Sequence, residues 1–303
     1  MYDQVAANKR RSVLLILAFV ALVVVVAWAF DLVIGYGVTG LIVAFVFAVG
    51  FSFASYWKSD AIALAISQAK PADPTVYARL HNVVEGLCIA SGLPKPRIYV
   101  VDDEAPNAFA TGRDPKHAAI AVTTGLLNKM ERIELEGVLA HELSHIKNYD
   151  ILVSTLAVTL VGVIALLSDW ALRFMWWGGP RRRAGNRDGG GGAGGLMGLV
   201  GLGLLILTPI AARMMQLAVS RRREALADVS GVTMTRYPPG LISALEKLRD
   251  DTTVVQTASR ATAHLWVESP VPRKESEGRL AWAGRLFDTH PPLEERIEAL
   301  REL

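Results

Sequence analysis

Residues 138–148 read VLAHELSHIKN. His141 and His145 stand four positions apart, about 40° around a helix, so both imidazoles can reach one metal ion. Glu142 falls on the adjoining edge, where a general base for water belongs in the HExxH arrangement. Three positions beyond this stretch, at Ile151, a run of membrane character begins. The chemistry to be explained is therefore a metal-hydrolase motif at the edge of a bilayer segment.

Four apolar runs surround the motif. Val13–Phe30 has 18 residues without a charge, Leu32–Trp57 spans 26, and Ile151–Leu167 and Leu196–Ala212 span 17 each. A helical membrane span needs about 20 apolar residues. The first two runs are long enough, and the last two are at the lower limit. The mean hydropathy of +0.31 and the 51% hydrophobic content come from these runs. Removing them leaves Lys58–Asp150 and Ser220–Leu303, together the size of one ordinary domain. The expected organisation is an N-terminal transmembrane hairpin (1–57), the first half of a soluble domain (58–150), a second hairpin (151–219) with a Gly- and Arg-rich loop at 178–195, and the second half of the domain (220–303). Lys9, Arg10 and Arg11 followed by an apolar run and Ala27-Trp28-Ala29 imitate a signal peptide, but the run is long and another span follows at once. An uncleaved first helix is expected.

Cys88 is the single cysteine, which excludes an internal disulfide and a thiolate metal cage. The net charge of +3 and pI near 9.0 do not imply nucleic acid, because Arg181–Arg183 and Arg221–Arg223 lie beside apolar segments, where membrane-surface contact accounts for them. The tryptophans at 170, 176 and 177 fit an interfacial belt. In the soluble halves, Thr75–Ala90 reads as a helix with Asp73 able to cap it and Gly92 near its end. Arg97–Val101 and Ala118–Val122 read as strands, Asn107–Gly112 as a third strand candidate, and Arg132–Asn148 as a helix with Val138, Leu139, Leu143 and Ile146 on its apolar face. The fold class is mainly α with a small β-sheet.

A catalytic zinc site usually has three protein ligands and one open position. Asn148 and Ile151 stand where the elongated HExxHxxGxxH form needs Gly and His, so the third ligand lies elsewhere. Glu224, in SRRREALADVSG (220–231), is the best candidate, with Asp228 one turn later able to accept the outer N–H of a ligand histidine. Taken alone, both would be solvated surface acids. Their position changes this: the histidines precede the third apolar run and Glu224 follows the fourth, so two crossings return the chain to the same side. His81, His117 and His264 have no ligand pattern and read as surface or packing residues. Asn148 and Asp150 read as residues that cap or hydrate the end of the site helix.

HELSH, SRRREALAD, NAFATG (107–112) and THPPLEERI (289–297) together resemble the HtpX heat-shock membrane metalloproteases, relatives of the CAAX prenyl endopeptidases. The resemblance implies a multi-pass protein with a split zincin-like (gluzincin) domain and one Zn2+ per chain bound by His141, His145 and Glu224. It implies Glu142 as general base and a bacterial inner-membrane location with the site facing the cytoplasm. The activity implied is cleavage of damaged membrane proteins or unfolded polypeptides; homo-oligomers and membrane regulators stay open. It also implies that Asn107, Ala108, Phe109, Ala110 and Thr111 form a strand to which substrate adds, although an ordinary interior strand would read the same. His290 and Arg296 resemble the residues facing the zinc across the cleft, where His290 would donate to the developing oxyanion. The alternative is that Thr289–Pro292 only starts the last helix, with Arg296 in a surface ion pair. A CAAX-type prenyl-peptide protease and a non-catalytic zinc-binding scaffold are the competing functions. Four spans are few for the former's chamber, and no cysteine cluster closes a structural site for the latter. Lys9–Arg11 against the uncharged link after Phe30 places the N-terminus in the cytoplasm, whereas the basic loop at 178–195 would prefer that side too.

Overall fold

The computed structural model describes residues 2–34, 37–157, 159–160, 221–255, 265–267 and 291–303. His290, His264, the tryptophans at 170, 176 and 177, the loop at 178–195, the fourth apolar run and the second half of the third lie outside the described residues.

Two long helices open the chain, α1 (Tyr2–Ile34) and α2 (Gly37–Ile66). The turn comes later than the charge at Asp31 suggests. α1 runs on through Asp31 to Ile34, and the Asp31 carboxylate accepts the Gly37 N–H, an acid at a helix N-terminus. α2 then absorbs both the second apolar run and the amphipathic stretch after it. Thirty residues make a helix about 45 Å long, against a hydrocarbon core of about 30 Å. Among the described residues, α2 is the one helix long and apolar enough to cross a membrane on composition. Leu15, Phe19 and Leu22 of α1 pack on Ala48 of α2 and on Val153, Ala157 and Leu160 of the third run. Outward, large apolar side chains lie bare, Val38 at 72% and Phe53 at 66% exposure, a surface unsuited to water.

The last turns of α2 pack on a four-stranded sheet. The sheet comprises β1 (Lys70–Pro71), β2 (Arg97–Val101), β3 (Ala108–Gly112) and β4 (Ala118–Thr123), in the order β1-β2-β4-β3. β2 and β4 are parallel, and the two outer pairings are antiparallel. Successive side chains alternate between faces. Ile98, Val100, Ala110, Ile120 and Val122 join the main core, while Val101, Phe109, Ala119 and Ala121 meet Ala63 and Leu64 of α2. Both faces being covered, β3 and β4 are buried throughout. α3 (Ala78–Ser91) starts later than its sequence suggests: Asp73 accepts the Thr75 N–H and hydroxyl in a preceding turn, and no side chain caps the helix itself. Gly92 ends it in the left-handed conformation at φ 70°. Pro115–His117 forms a 3-10 turn before β4, and the short α4 (Thr124–Lys129) follows that strand.

The centre of the domain is α5 (Arg132–Lys147), opened by a reciprocal capping box between Glu131 and Glu134. Glu134 also accepts from Ser243 and Lys247, both at 2.6 Å, on α7 (Pro238–Asp250). α6 (Arg221–Thr235) packs on α5, and α8 (Leu293–Arg301) closes the far side against α6 and α7. Because α5 is covered nearly all round, polar residues as well as Val138, Leu139, Leu143 and Ile146 are buried in it.

Candidate metal centre

α5 and α6 approach backbone to backbone. A Cβ on Gly231 would lie 3.0 Å from the His141 nitrogen and 3.2 Å from its Cα, so any larger residue would push the two helices a few tenths of an ångström apart. Glu224, Asp228 and Gly231 form one stripe on α6, spaced four and three residues apart, that faces the site histidines. The contact brings His141 Nε2 to 3.7 Å from Glu224 Oε2 and His145 Nε2 to 3.7 Å from Glu224 Oε1. The two Nε2 atoms are 3.1 Å apart. His141 is 1% exposed and Glu224 6%.

Carboxylates hold the other ring nitrogens. Asp228 Oδ1 is 2.8 Å from His141 Nδ1, and Asp150 Oδ2 is 3.1 Å from His145 Nδ1. Each ring thus has its Nδ1 proton engaged and turns an Nε2 lone pair toward the same point. At 3.1 Å the two Nε2 atoms are close enough to share a proton, or to bind one metal ion between them. Burial opposes charge on His141, and Arg296 opposes it too, but Asp228 and Glu224 prevail and raise its pKa to about 9 in the absence of metal. The donor set therefore fits zinc: zinc–nitrogen bonds of about 2.0–2.1 Å place tetrahedral ligand atoms roughly 3.3 Å apart. Among the described residues, His141, His145 and Glu224 are the group able to share one ion. Glu142 is buried beside them, 2% exposed.

Arg296 is also buried. Its Nε donates to Asp228 Oδ2 at 2.9 Å and its Nη2 to Oδ1 at 2.6 Å, a two-pronged pair, and Nη2 lies 3.4 Å from His141 Nδ1. Burial raises the Asp228 pKa, but Arg296 and His141 outweigh it and hold it near 2. Arg296 thus reaches the site through Asp228, a contact that its place in THPPLEERI did not reveal.

Asn107–Thr111 occupies the outer edge of the sheet, packed against α5. The Thr123 N–H donates to the Asn107 carbonyl at 2.9 Å, so by antiparallel alternation Ala108 and Ala110 direct their peptide groups away from β4. The Val267 N–H donates to the Ala108 carbonyl at 3.0 Å, and Trp266 stands edge-on to Phe109, with ring centroids 4.7 Å apart. Residues 265–267 therefore lie along the same edge.

Two participants escaped the sequence reading. Asp150 reads as a capping residue because it is five positions past His145. Tyr149, at φ 60°, turns the chain back so that Asp150 faces the ring. Gly231 carried a usable signal, two helical turns after Glu224 on the same face, but that signal means nothing until the partner helix is known. His81 and His117 are engaged outside the site, with the Ala72 carbonyl and Asp114.

The profile of peptidase family M48 matches residues 74–303. "Protease HtpX homolog" of Caldanaerobacter subterraneus subsp. tengcongensis is 45% identical over 100% of this chain and 98% of its own, and that of Thermoanaerobacter pseudethanolicus is 43% identical with the same coverage. The crystal structure of S. mikatae Ste24p is similar in fold, with a TM-score of 0.50 at 20% identity, over 99% of this chain and 67% of that one. A profile match over most of the chain and full-length relatives with "protease" in their names agree with the buried His/His/Glu cluster: the chain belongs to peptidase family M48.

Proposed function

We propose that the chain is a multi-pass, HtpX-type zinc endopeptidase that cleaves damaged membrane proteins where their segments leave the bilayer. The observation that carries this is the convergence of His141, His145 and Glu224 beside the polar-to-apolar boundaries of α1 and of the helix starting at residue 150, where Asn8 donates to Asp150 and Asp150 holds His145. His141, His145 and Glu224 would hold one ion per chain. Bound zinc supplies Lewis-acid polarisation and makes water acidic enough to lose a proton near neutral pH. Glu142 would take a proton from the attacking water and return it to the leaving amine. Asp228 and Asp150 keep the imidazoles in the tautomer that presents Nε2. Arg296 positions Asp228 and offsets its charge, and His290 keeps the role of donor to the developing oxyanion. The Asn107–Thr111 edge offers an extended substrate backbone hydrogen bonds with little demand on its side chains, with the outward peptide groups of Ala110 next in line after the Val267 contact.

The hairpins at 1–57 and 151–219 anchor the two halves of the protease domain, 58–150 and 220–303, on the cytoplasmic face. Lys9–Arg11 at the start of α1 supports that orientation. Zinc content and cleavage of an unfolded membrane protein, compared between wild type and Glu142→Gln, test the activity. The variant is expected to keep the metal and lose hydrolysis; near-wild-type cleavage would refute the assignment. For topology, a cysteine at Gly190 in a Cys88→Ser background is expected to react with an impermeant reagent from outside the cell, and absence of labelling would show a hairpin that does not cross.

A further inference from the structure

A cavity of about 680 Å³ opens beside α1, lined by none of the metal-site residues. Its wall combines Lys9, Arg113 and Lys116 with Tyr56 and Tyr149, over an apolar floor that includes Val13, Ile16 and Leu152. Three changes of sequence character meet there. The charge-free run of α1 begins at Val13, that of α2 ends at Trp57, and the third begins at Ile151. With α1 and α2 in the bilayer, the placement on which this argument rests, the cavity lies at the level of the lipid head groups, its cations toward water and its floor toward hydrocarbon.

The cations are arranged and available. The Arg113 guanidinium lies 4.5 Å over the Trp57 ring, and Lys9 Nζ lies 4.8 Å over the Tyr149 ring, so both are held in place by aromatic faces. The single acid of the wall, Asp114, is turned to its own 3-10 turn, where it accepts the Lys116 and His117 N–H groups at 2.9 and 3.0 Å and pairs with the His117 ring at 2.8 Å. Its contact with Arg113 is long, 3.7 Å. Among the described residues, Lys9 and Lys116 have no ion-pair partner. Beyond the cavity, Leu14 and Leu17 lie bare at 60% and 58% exposure, continuing the apolar track along α1.

We propose that this cavity binds one anionic phospholipid, its phosphate among Lys9, Arg113 and Lys116 and an acyl chain along Val13, Ile16 and Leu17. The volume is within the range of ordinary ligand pockets, and three cations at an interface select negative head groups. Neighbouring residues connect its wall to the metal cluster: Lys9 faces the Tyr149 ring, Asn8 donates to Asp150 at 2.6 Å, and Asp150 holds the His145 ring.

Native mass spectrometry of the full chain in detergent, titrated with phosphatidylglycerol against phosphatidylcholine, tests this. One phosphatidylglycerol per chain is expected to be retained in preference to phosphatidylcholine. Lys9→Gln/Lys116→Gln should weaken retention roughly 25-fold, at about fivefold per interfacial cation, whereas Arg236→Gln/Arg301→Gln, with the same change of charge elsewhere, should leave it intact. Equal retention of both lipids, or equal loss in both double variants, overturns the site. Displacement of the lipid by equimolar inorganic phosphate would show a soluble-anion site instead. A benzophenone side chain at Pro94 on the rim provides a check that removes no cation: it should capture phosphatidylglycerol from a mixed bilayer, and failure to do so also overturns the proposal. Alkaline extraction of the membranes separates the two claims, since release of the chain refutes the bilayer placement whatever lipid it retains.

Discussion

Gly231→Ala adds one methyl group at the closest approach of α5 and α6. The new Cβ would meet His141 N at 3.0 Å, its Cα at 3.2 Å and the Ala140 carbonyl carbon at 3.3 Å. All three are backbone atoms of the helix that carries the ligands, so no flexible side chain can yield. Restoring ordinary contact separates the helices by about 0.4 Å, close to the tolerance of about 0.5 Å within which a functional constellation must be held. Glu224, two turns earlier on the same face, moves with α6 while both histidines stay on α5. In stability the substitution nearly balances: alanine gains about 1 kcal/mol over glycine in a helix, and overpacking costs about 1–3 kcal/mol. Zinc affinity should fall at least tenfold, the lower end of what disturbing a ligand's support costs. Competition with a chromogenic chelator measures affinity, and thermal melting of the metal-free chain measures packing. Gly86→Ala on α3, whose Cβ would meet nothing within 4 Å, is the control and should leave affinity unchanged. Undiminished zinc affinity in a folded Gly231→Ala would refute the claim that this contact sets the ligand geometry.

Asp150→Ala should lower zinc affinity by roughly 10–100-fold because His145 loses the acceptor of its Nδ1 proton; a chelator titration matching wild type would return Asp150 to a capping role. Arg296→Ala leaves Asp228 buried without its two-pronged partner and should destabilise the fold by about 3–5 kcal/mol, with Arg296→Lys restoring only part, as measured by denaturant melts; full recovery by lysine would contradict the pairing geometry. The metal-free chain should lose stability as pH rises from 6.5 through about 9, because the folded-state pKa of His141 is raised and its contribution is complete only below the unfolded value. Asp228 acts in the opposite direction: its lowered pKa contributes above 3.8, and that contribution is lost as pH falls toward 2. Zinc should abolish the alkaline limb, and metal-free melting temperatures equal at pH 6 and pH 9 would refute this account.

Local features were legible from the order of residues alone. HELSH at helical spacing set two candidate ligands and a candidate base on one helix, and β-prone residues between flanking turn residues marked β2 and β4 and offered β3 as a candidate. Unbroken apolar length marked α1 and α2. Each is a property of neighbours in the chain, with periods of 3.6 or 2. Glu224 and Asp228 were also within reach, because two expected crossings between them and the histidines would return the chain to the same side. Tertiary structure decided what depends on which surfaces meet. Arg296 faces Asp228 only because α8 closes over α6, and Asp150 faces His145 only because Tyr149 takes a positive φ. Gly231 acquires meaning only against the backbone of α5, since a small residue on one helix records a close approach without naming the partner. Likewise Lys9, Arg113 and Lys116, more than 100 residues apart at the extremes, form a cavity only where α1 meets the turn before β4.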